Sequence, residues 1–340
     1  MDVAGTTSDV AARSLHFVGP RTVDVEAHPV PEPADGEVLV GGRTSLVSAG
    51  TELMIYRGEA PEGLPADETI DALAGDLSFP LQYGYSLVGE VETVGGDVPP
   101  GWAGRRVFAF NPHESHAVAD ADALVPVPDD VGTERAAFVP IAETAVNLVL
   151  DGAPRIGERV VVFGAGLVGL FAVAALAQFP LSDLTVVEPV ASRRALAREL
   201  GADVAVPPGE LDEADHGDAD LVFELSGSPA ALDDAVGLAG YDSRVVVGSW
   251  YGAKRADLDL GGRFHRERIE LVSSQVSTID PSLRGRWDTE RRMALAWDQL
   301  RTVPVDEFVT HRVPIAEAGR AYELLDSDPE SALGVLLTYE

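Results

Sequence analysis

Arg159-Val160-Val161-Val162-Phe163-Gly164-Ala165-Gly166-Leu167-Val168-Gly169 is an apolar run that breaks into three glycines spaced as GxGxxG. A strand-like stretch before the glycines and a helix-compatible one after them, Leu170 to Gln178, supply the context this spacing requires. The first glycine permits a tight turn, the second lets a ligand approach the backbone, and the third lets helix pack on strand. A pyrophosphate would then sit on the helix N-terminus, where unpaired N–H groups and the helix dipole favour anions. Gly164, Gly166, Leu167, Val168 and Gly169 are therefore expected to hold a dinucleotide.

The next strand-like run, Leu184 to Glu188, ends 24 residues past Gly164, where an acid would grip the adenosine ribose hydroxyls. An acid there repels a 2′-phosphate, so Glu188 favours NAD. Arg193 and Arg194, which accommodate such a phosphate, keep NADP as the alternative, and Arg193 is expected along the adenosine. The competing reading of Glu188 is a surface acid at a strand end.

Outward from this motif, strand-like runs (Val204 to Val206, Leu221 to Leu225, Arg244 to Gly248, Ile269 to Ser273) alternate with helical ones (Ser192 to Leu200, Pro229 to Ala239). Such alternation implies a parallel, doubly wound sheet. Thr133 to Asp151 reads as one helix leading into it. Upstream, from Leu15 to about Val127, short β-type runs cut by Gly and Pro suggest a barrel or sandwich; Glu37 to Val40, Tyr85 to Val94 and Arg106 to Phe110 are examples. Gly58 to Asp76 reads as loop, residues 1–12 as a polar tail, and Gly209 to Asp220, with six acids, as a solvated loop. An arginine-rich helix follows Trp287, and a last helix (Ile315 to Leu325) and strand (Gly334 to Tyr339) close the chain. A length of 340 residues suits two domains.

Composition narrows the chemistry. There is no cysteine, which removes disulfides, thiolate nucleophiles and thiolate metal ligands. Acids outnumber bases 56 to 25, for a net charge of −31, and Lys254 is the single lysine. A chain this acidic lacks the basic footprint that neutralises phosphates, so nucleic acid is not an expected partner. No apolar run approaches the ~18 residues of a membrane span, and no basic-then-apolar stretch marks a secretory signal, so a cytoplasmic location is expected. The acids are scattered rather than gathered in a tail, which fits a salt-rich cytosol better than a cationic partner.

The β-rich first half, the glycine motif and the returning C-terminal segment resemble the medium-chain dehydrogenase/reductase superfamily of zinc-type alcohol dehydrogenases. Ala49-Gly50-Thr51-Glu52 stands where that family reads Cys-Gly-Thr/Ser-Asp, Gly84-Tyr85-Ser86 where it reads Gly-His-Glu, and Pro140-Ile141-Ala142-Glu143-Thr144 where it reads Cys-x-x-x-Thr. The resemblance implies an α/β fold with a GroES-like β-barrel catalytic domain (1–150 and 302–340) and a Rossmann doubly wound parallel sheet (151–301). It also implies NAD(P)-dependent hydride transfer on a small-molecule substrate and a homodimer or homotetramer. The three zinc ligands of the family would fall at Ala49, Tyr85 and Pro140, the acid behind them at Ser86 and its proton-relay histidine at Met54, so no zinc is expected. Ser48 to Leu53, Gln82 to Ser86, Phe264-His265-Arg266 and Ser273 to Val276 are similar to a branch containing bacteriochlorophyllide dehydrogenases.

Without zinc, something else must polarise the substrate oxygen. By the resemblance, Thr51 touches that oxygen and Thr144 the nicotinamide, while Tyr85 aims its phenol at the substrate, its pKa lowered by the cofactor cation; each also has an ordinary structural reading. His113 and His116 are the only clustered histidines and are candidates for general acid, or for an unorthodox metal site with Glu52 or Glu114; a solvated turn is the bland alternative. Glu143 is expected on a helix surface, with a buried acid as the alternative. Zinc-independent alcohol/carbonyl interconversion is the leading reading. Reduction of a carbon–carbon double bond and NAD-dependent redox sensing without turnover are the alternatives. The net charge carries a prediction of its own: molar salt shrinks the Debye length to ~3 Å and removes self-repulsion. Melting temperature is expected to rise steeply between dilute and molar KCl, and a flat profile would end the salt-adapted reading.

Overall fold

A computed structural model describes residues 11–211 and 217–339; most of the N-terminal tail and the middle of the acidic run lie outside them. The chain opens with a hairpin of β1 (Ala12–Gly19) and β2 (Thr22–His28). β3 (Glu37–Leu46) follows, then α1 (Ala49–Arg57), β4 (Leu87–Val94), β5 (Arg106–Ala109), β6 (His116–Asp120) and β7 (Val125–Pro126). β3 is the hub of this half, antiparallel to β4 and to β6, with Val38, Val40 and Leu46 buried. The segment Gly58 to Asp76 forms neither helix nor strand, as its prolines and polar residues suggest.

The helix expected over Thr133 to Asp151 is broken: a single turn at Thr133–Ala136 precedes α2 (Val139–Gly152). Pro140 has no N–H to give a preceding turn and is tolerated only in the first turn of a helix, so a new helix starts there.

Then come β8 (Arg159–Phe163), α3 (Leu167–Leu176), β9 (Asp183–Val187), α4 (Ala191–Glu199), β10 (Val204–Val206), β11 (Ala219–Glu224), α5 (Pro229–Leu238), β12 (Ala239–Val247) and β13 (Glu270–Ser273). Their strands form a parallel sheet in the order β10-β9-β8-β11-β12-β13. The chain leaves β8 in one direction and returns to β11 on its other side, which opens a crevice at the carboxyl ends of these two strands.

After α6 (Thr289–Thr302), β14 (Val309–Pro314), α7 (Ala318–Ser327) and β15 (Gly334–Thr338) return to the first sheet, where β15 pairs antiparallel with β3 through Leu336–Leu46 and Leu337–Ser45. One apolar cluster joins the halves. It holds Phe108 of β5, Phe138 and Leu148 beside and within α2, Leu170 of α3, Phe223 of β11 and Leu336 of β15.

Glu143 corrects the expectation of a surface acid. It is 6% exposed, and the Arg292 guanidinium of α6 donates to its Oε1 at 3.0 Å. Glu143, Asn147 and Asp151, four residues apart, put one polar stripe of α2 against α6 and β13. Arg292 also donates to Asn147 Oδ1, and the Ser274 hydroxyl donates to Asp151 Oδ2 at 2.6 Å. Burial pushes the Glu143 pKa up, against the opposing charge of Arg292. An Arg292→Met variant leaves that carboxylate buried and alone, a loss of ~3–5 kcal/mol at neutral pH. The folded-state pKa is then raised further, so the folded chain takes up a proton before the unfolded chain does. Denaturant unfolding is expected to show the deficit shrinking as pH falls toward the ordinary carboxyl value.

Candidate active site

The glycine turn follows directly from β8. Gly164 has φ +95°, and a Cβ there would lie 2.8 Å from Leu225 O; a Cβ on Gly169 would lie 2.0 Å from Gly164 O. Gly166 caps α3 with no side chain bonded to its free N–H groups, and a Cβ there would meet open space. The loop thus combines two obligatory close contacts with one open face of N–H donors, which is the form a pyrophosphate cradle takes.

Glu188 lies behind the cradle and is only 3% exposed, which removes the surface-acid reading. Its Oε2 accepts from Ala165 N at 2.7 Å and its Oε1 from Val190 N at 2.9 Å, so the carboxylate is locked to the turn. One lone pair on each oxygen remains for a ribose hydroxyl. Arg193, expected along the adenosine, donates its guanidinium to Pro329 O (2.6 Å) and Ala332 O (2.9 Å). Arg194 donates to the carbonyls of Glu188 and Pro189. Both guanidinium groups are thus engaged by main-chain oxygens. Thr144, half-buried on α2, donates to Pro140 O at 2.8 Å, an ordinary intrahelical bond.

A second set of groups gathers at the N-terminus of α1. The half-buried Tyr85 phenol donates a short hydrogen bond to the Ser48 hydroxyl, and the Thr51 hydroxyl faces the same phenol. Burial raises the Tyr85 pKa, opposed by these two hydroxyls, so in the cofactor-free chain the shift runs opposite to the lowering expected from a cofactor cation. The structure brings Thr51 and Tyr85 together, and adds Ser48.

His113 and His116 do not act as a pair. His116 opens β6, bonding Ser115 Oγ at 2.9 Å and lying 3.8 Å from Glu92. His113 is 0% exposed, which overturns the solvated-turn reading and removes the ring from any direct contact with substrate. The ring packs over Gly84 (φ +123°), where a Cβ would approach it to 2.7 Å. His113 Nε2 lies 2.9 Å from Glu52 Oε2, and Nδ1 lies 2.7 Å from Ser45 Oγ, which in turn lies 2.7 Å from Tyr339 OH. Glu52, also 0% exposed, further accepts from Tyr322 OH (2.6 Å) and, through Oε1, from Ser48 N (2.7 Å). Since a carboxylate only accepts, Nε2 carries the ring proton and Nδ1 accepts from Ser45.

The positions where zinc ligands would fall do not suit the metal. Ala49 and Pro140 have no donor atom, and Tyr85 offers a neutral phenol already bonded to Ser48. Among the described residues no group of three or more His, Asp or Glu side chains is placed to hold a metal ion. Ser48, Ser45, Tyr322 and Tyr339 went unread in the sequence. Ser48 and Glu52 approximate a helix-capping pair, which was a visible signal. Tyr322 reaches Glu52 across 270 positions and left none.

Comparison with known proteins agrees with this architecture. Residues 168–293 match the family model described as zinc-binding dehydrogenase. D-guloside 3-dehydrogenase of Escherichia coli (strain K12) is 24% identical over 325 residues, covering 89% of this chain and 93% of that protein. The crystal structure of a short chain alcohol dehydrogenase from E. coli CFT073 complexed with NADH superposes with a TM-score of 0.77 at 20% identity, over 97% of this chain and 99% of that one. The 2R,3R-butanediol dehydrogenase of Bacillus subtilis superposes with a TM-score of 0.78 at 20% identity, over 97% and 100%. The two-domain α/β fold is that of the medium-chain alcohol dehydrogenases, and over most of its length the chain is similar in sequence to named dehydrogenases.

Proposed function

We propose that this protein is a zinc-independent, NAD-preferring dehydrogenase that interconverts a secondary alcohol and its carbonyl compound. The observation that carries the reading is the meeting of the Tyr85, Ser48 and Thr51 hydroxyls at the N-terminus of α1, with Tyr85 standing where the resembled family would place a zinc ligand. A bound nicotinamide accepts or returns the hydride. The chain's part is to bind and orient: Gly164, Gly166, Leu167, Val168 and Gly169 hold the pyrophosphate, Glu188 the adenosine ribose, and Thr144 borders the nicotinamide. Thr51 and Tyr85 take the substrate oxygen, orienting it and exchanging its proton. We divide the chain into a catalytic domain (1–150 and 302–340) and a cofactor domain (151–301). A salt-rich cytoplasm and the bacteriochlorophyllide dehydrogenase-like branch belong to the same reading.

The direct test is a panel of 2,3-butanediol, sorbitol, L-threonine and benzyl alcohol with their carbonyl counterparts, set beside cyclohexenone and a quinone, with NAD and NADP. Turnover of alcohols supports the reading. Turnover of the alkene or quinone alone replaces it with double-bond reduction, and cofactor binding with no turnover replaces it with redox sensing.

Tyr85→Phe and Thr51→Ala are each expected to lower kcat by ~10²–10⁴ while NAD affinity, read by fluorescence titration, stays unchanged. One zinc per chain by metal analysis, with chelators abolishing activity, would overturn the zinc-free assignment. Glu188→Ser is expected to weaken NAD and to favour NADP relative to it; an unmodified protein that already prefers NADP would remove the NAD assignment.

A further inference from the structure

Hydride removal from an alcohol leaves a proton to be placed, and the hydroxyl cluster by itself holds no group to keep it. Tyr85 is a phenol whose pKa burial raises, and Ser48 and Thr51 are alcohols. The nearest acceptor-only group is the Glu52 carboxylate, one step further inside. Its bland role, capping α1 through Ser48 N, uses Oε1 alone. That role leaves unexplained why Oε2 takes both His113 and Tyr322, or why carboxylate and imidazole are each fully buried.

We propose that Glu52 is the internal proton acceptor of the reaction, reached from the substrate through Tyr85 and Ser48. The inference rests on the alcohol/carbonyl reading above. Tyr85 already donates to Ser48 Oγ. Ser48 N lies 2.7 Å from Glu52 Oε1, and the route requires the Ser48 hydroxyl to turn from Tyr85 to that same oxygen. Oε1 has a second lone pair to receive it. In alcohol oxidation the substrate C–H bond breaks and its electron pair leaves as hydride to oxidised nicotinamide. The O–H bond breaks as well: its proton passes to Tyr85 Oη, the Tyr85 proton to Ser48 Oγ, and the Ser48 proton to Glu52 Oε1. The substrate loses two electrons, the nicotinamide gains two, and Glu52 ends as the neutral acid. Carbonyl reduction runs the same transfers backwards. His113, Tyr322 and the Ser48 amide stabilise the carboxylate that must wait for the proton, and Ser45 and Tyr339 hold the imidazole in the tautomer that does so. Titratable groups facing Glu52 are His113 from the 111–115 loop, Tyr83 and Tyr85 before β4, Tyr322 from α7 and Tyr339 after β15.

Two variants of the full chain test the route, Ser48→Ala and Glu52→Gln, both checked for cooperative melting. With NAD and the alcohols of the panel, each is expected to lose ~10²-fold or more in kcat, with KM and NAD affinity within about twofold. Unmodified kcat in either Ser48→Ala or Glu52→Gln would overturn the route. A readout without turnover is the imidazole N–H signal of cofactor-free, 15N-histidine-labelled protein. A slowly exchanging, deshielded Nε2–H that moves upfield in Glu52→Gln supports the pair, and its absence overturns it. If that signal behaves as expected while no alcohol or carbonyl compound is turned over, the functional reading has failed and the proton route fails with it, though the pair stands.

Discussion

A carboxylate taken out of water costs several kcal/mol unless its lone pairs are filled, and Glu52 meets that cost with donors from three distant parts of the chain. Ser48 contributes a main-chain N–H from the turn before α1, His113 its Nε2–H from the loop before β6, and Tyr322 its phenol from α7. Each donor constrains the element that carries it. Gly84 must be glycine because the His113 ring occupies the space of its side chain, and α7 must return to the first half because Tyr322 stacks on Tyr56 of α1. Ser45 and Tyr339 fasten the far side of the imidazole across the β3–β15 pairing. Removing any one donor would leave a charge or a polar ring buried with an unfilled hydrogen-bond position, so these contacts depend on one another.

The cofactor side depends on a different constraint. The turn after β8 must be tight enough for α3 to pack back on its own strand, and only hydrogen at positions 164 and 169 allows that approach. Once that turn is made, the helix terminus faces the crevice where the sheet order reverses, and Glu188 closes it from the neighbouring strand. The ion pair of Glu143 and Arg292 stands between the two regions, on a helix whose apolar residues belong to the core shared by both sheets.

Local pattern carried the fold far into this protein. Alternating strand and helix periods, the glycine spacing and the short β runs of the first half are properties of neighbouring residues, and they imposed a parallel sheet beside a β-rich half before any contact was known. Pro140 shows where such reading fails: the helical period runs through it, but the missing N–H breaks the helix, so one element became two. Thr51 and Tyr85 stood out in the sequence for opposite reasons: Thr51 keeps the hydroxyl of the resembled motif, and Tyr85 replaces one of its ligands. What the sequence alone determined, then, is the architecture and the glycine turn. Tertiary structure alone decided that His113 is an interior ring rather than a solvated one, that Glu143 is an ion-pair partner rather than a surface acid, and that Arg193 spends its guanidinium on the 329–332 carbonyls. The reason is physical: whether a polar side chain faces water or a partner depends on groups tens to hundreds of residues away, and burial of charge is settled only when those groups arrive.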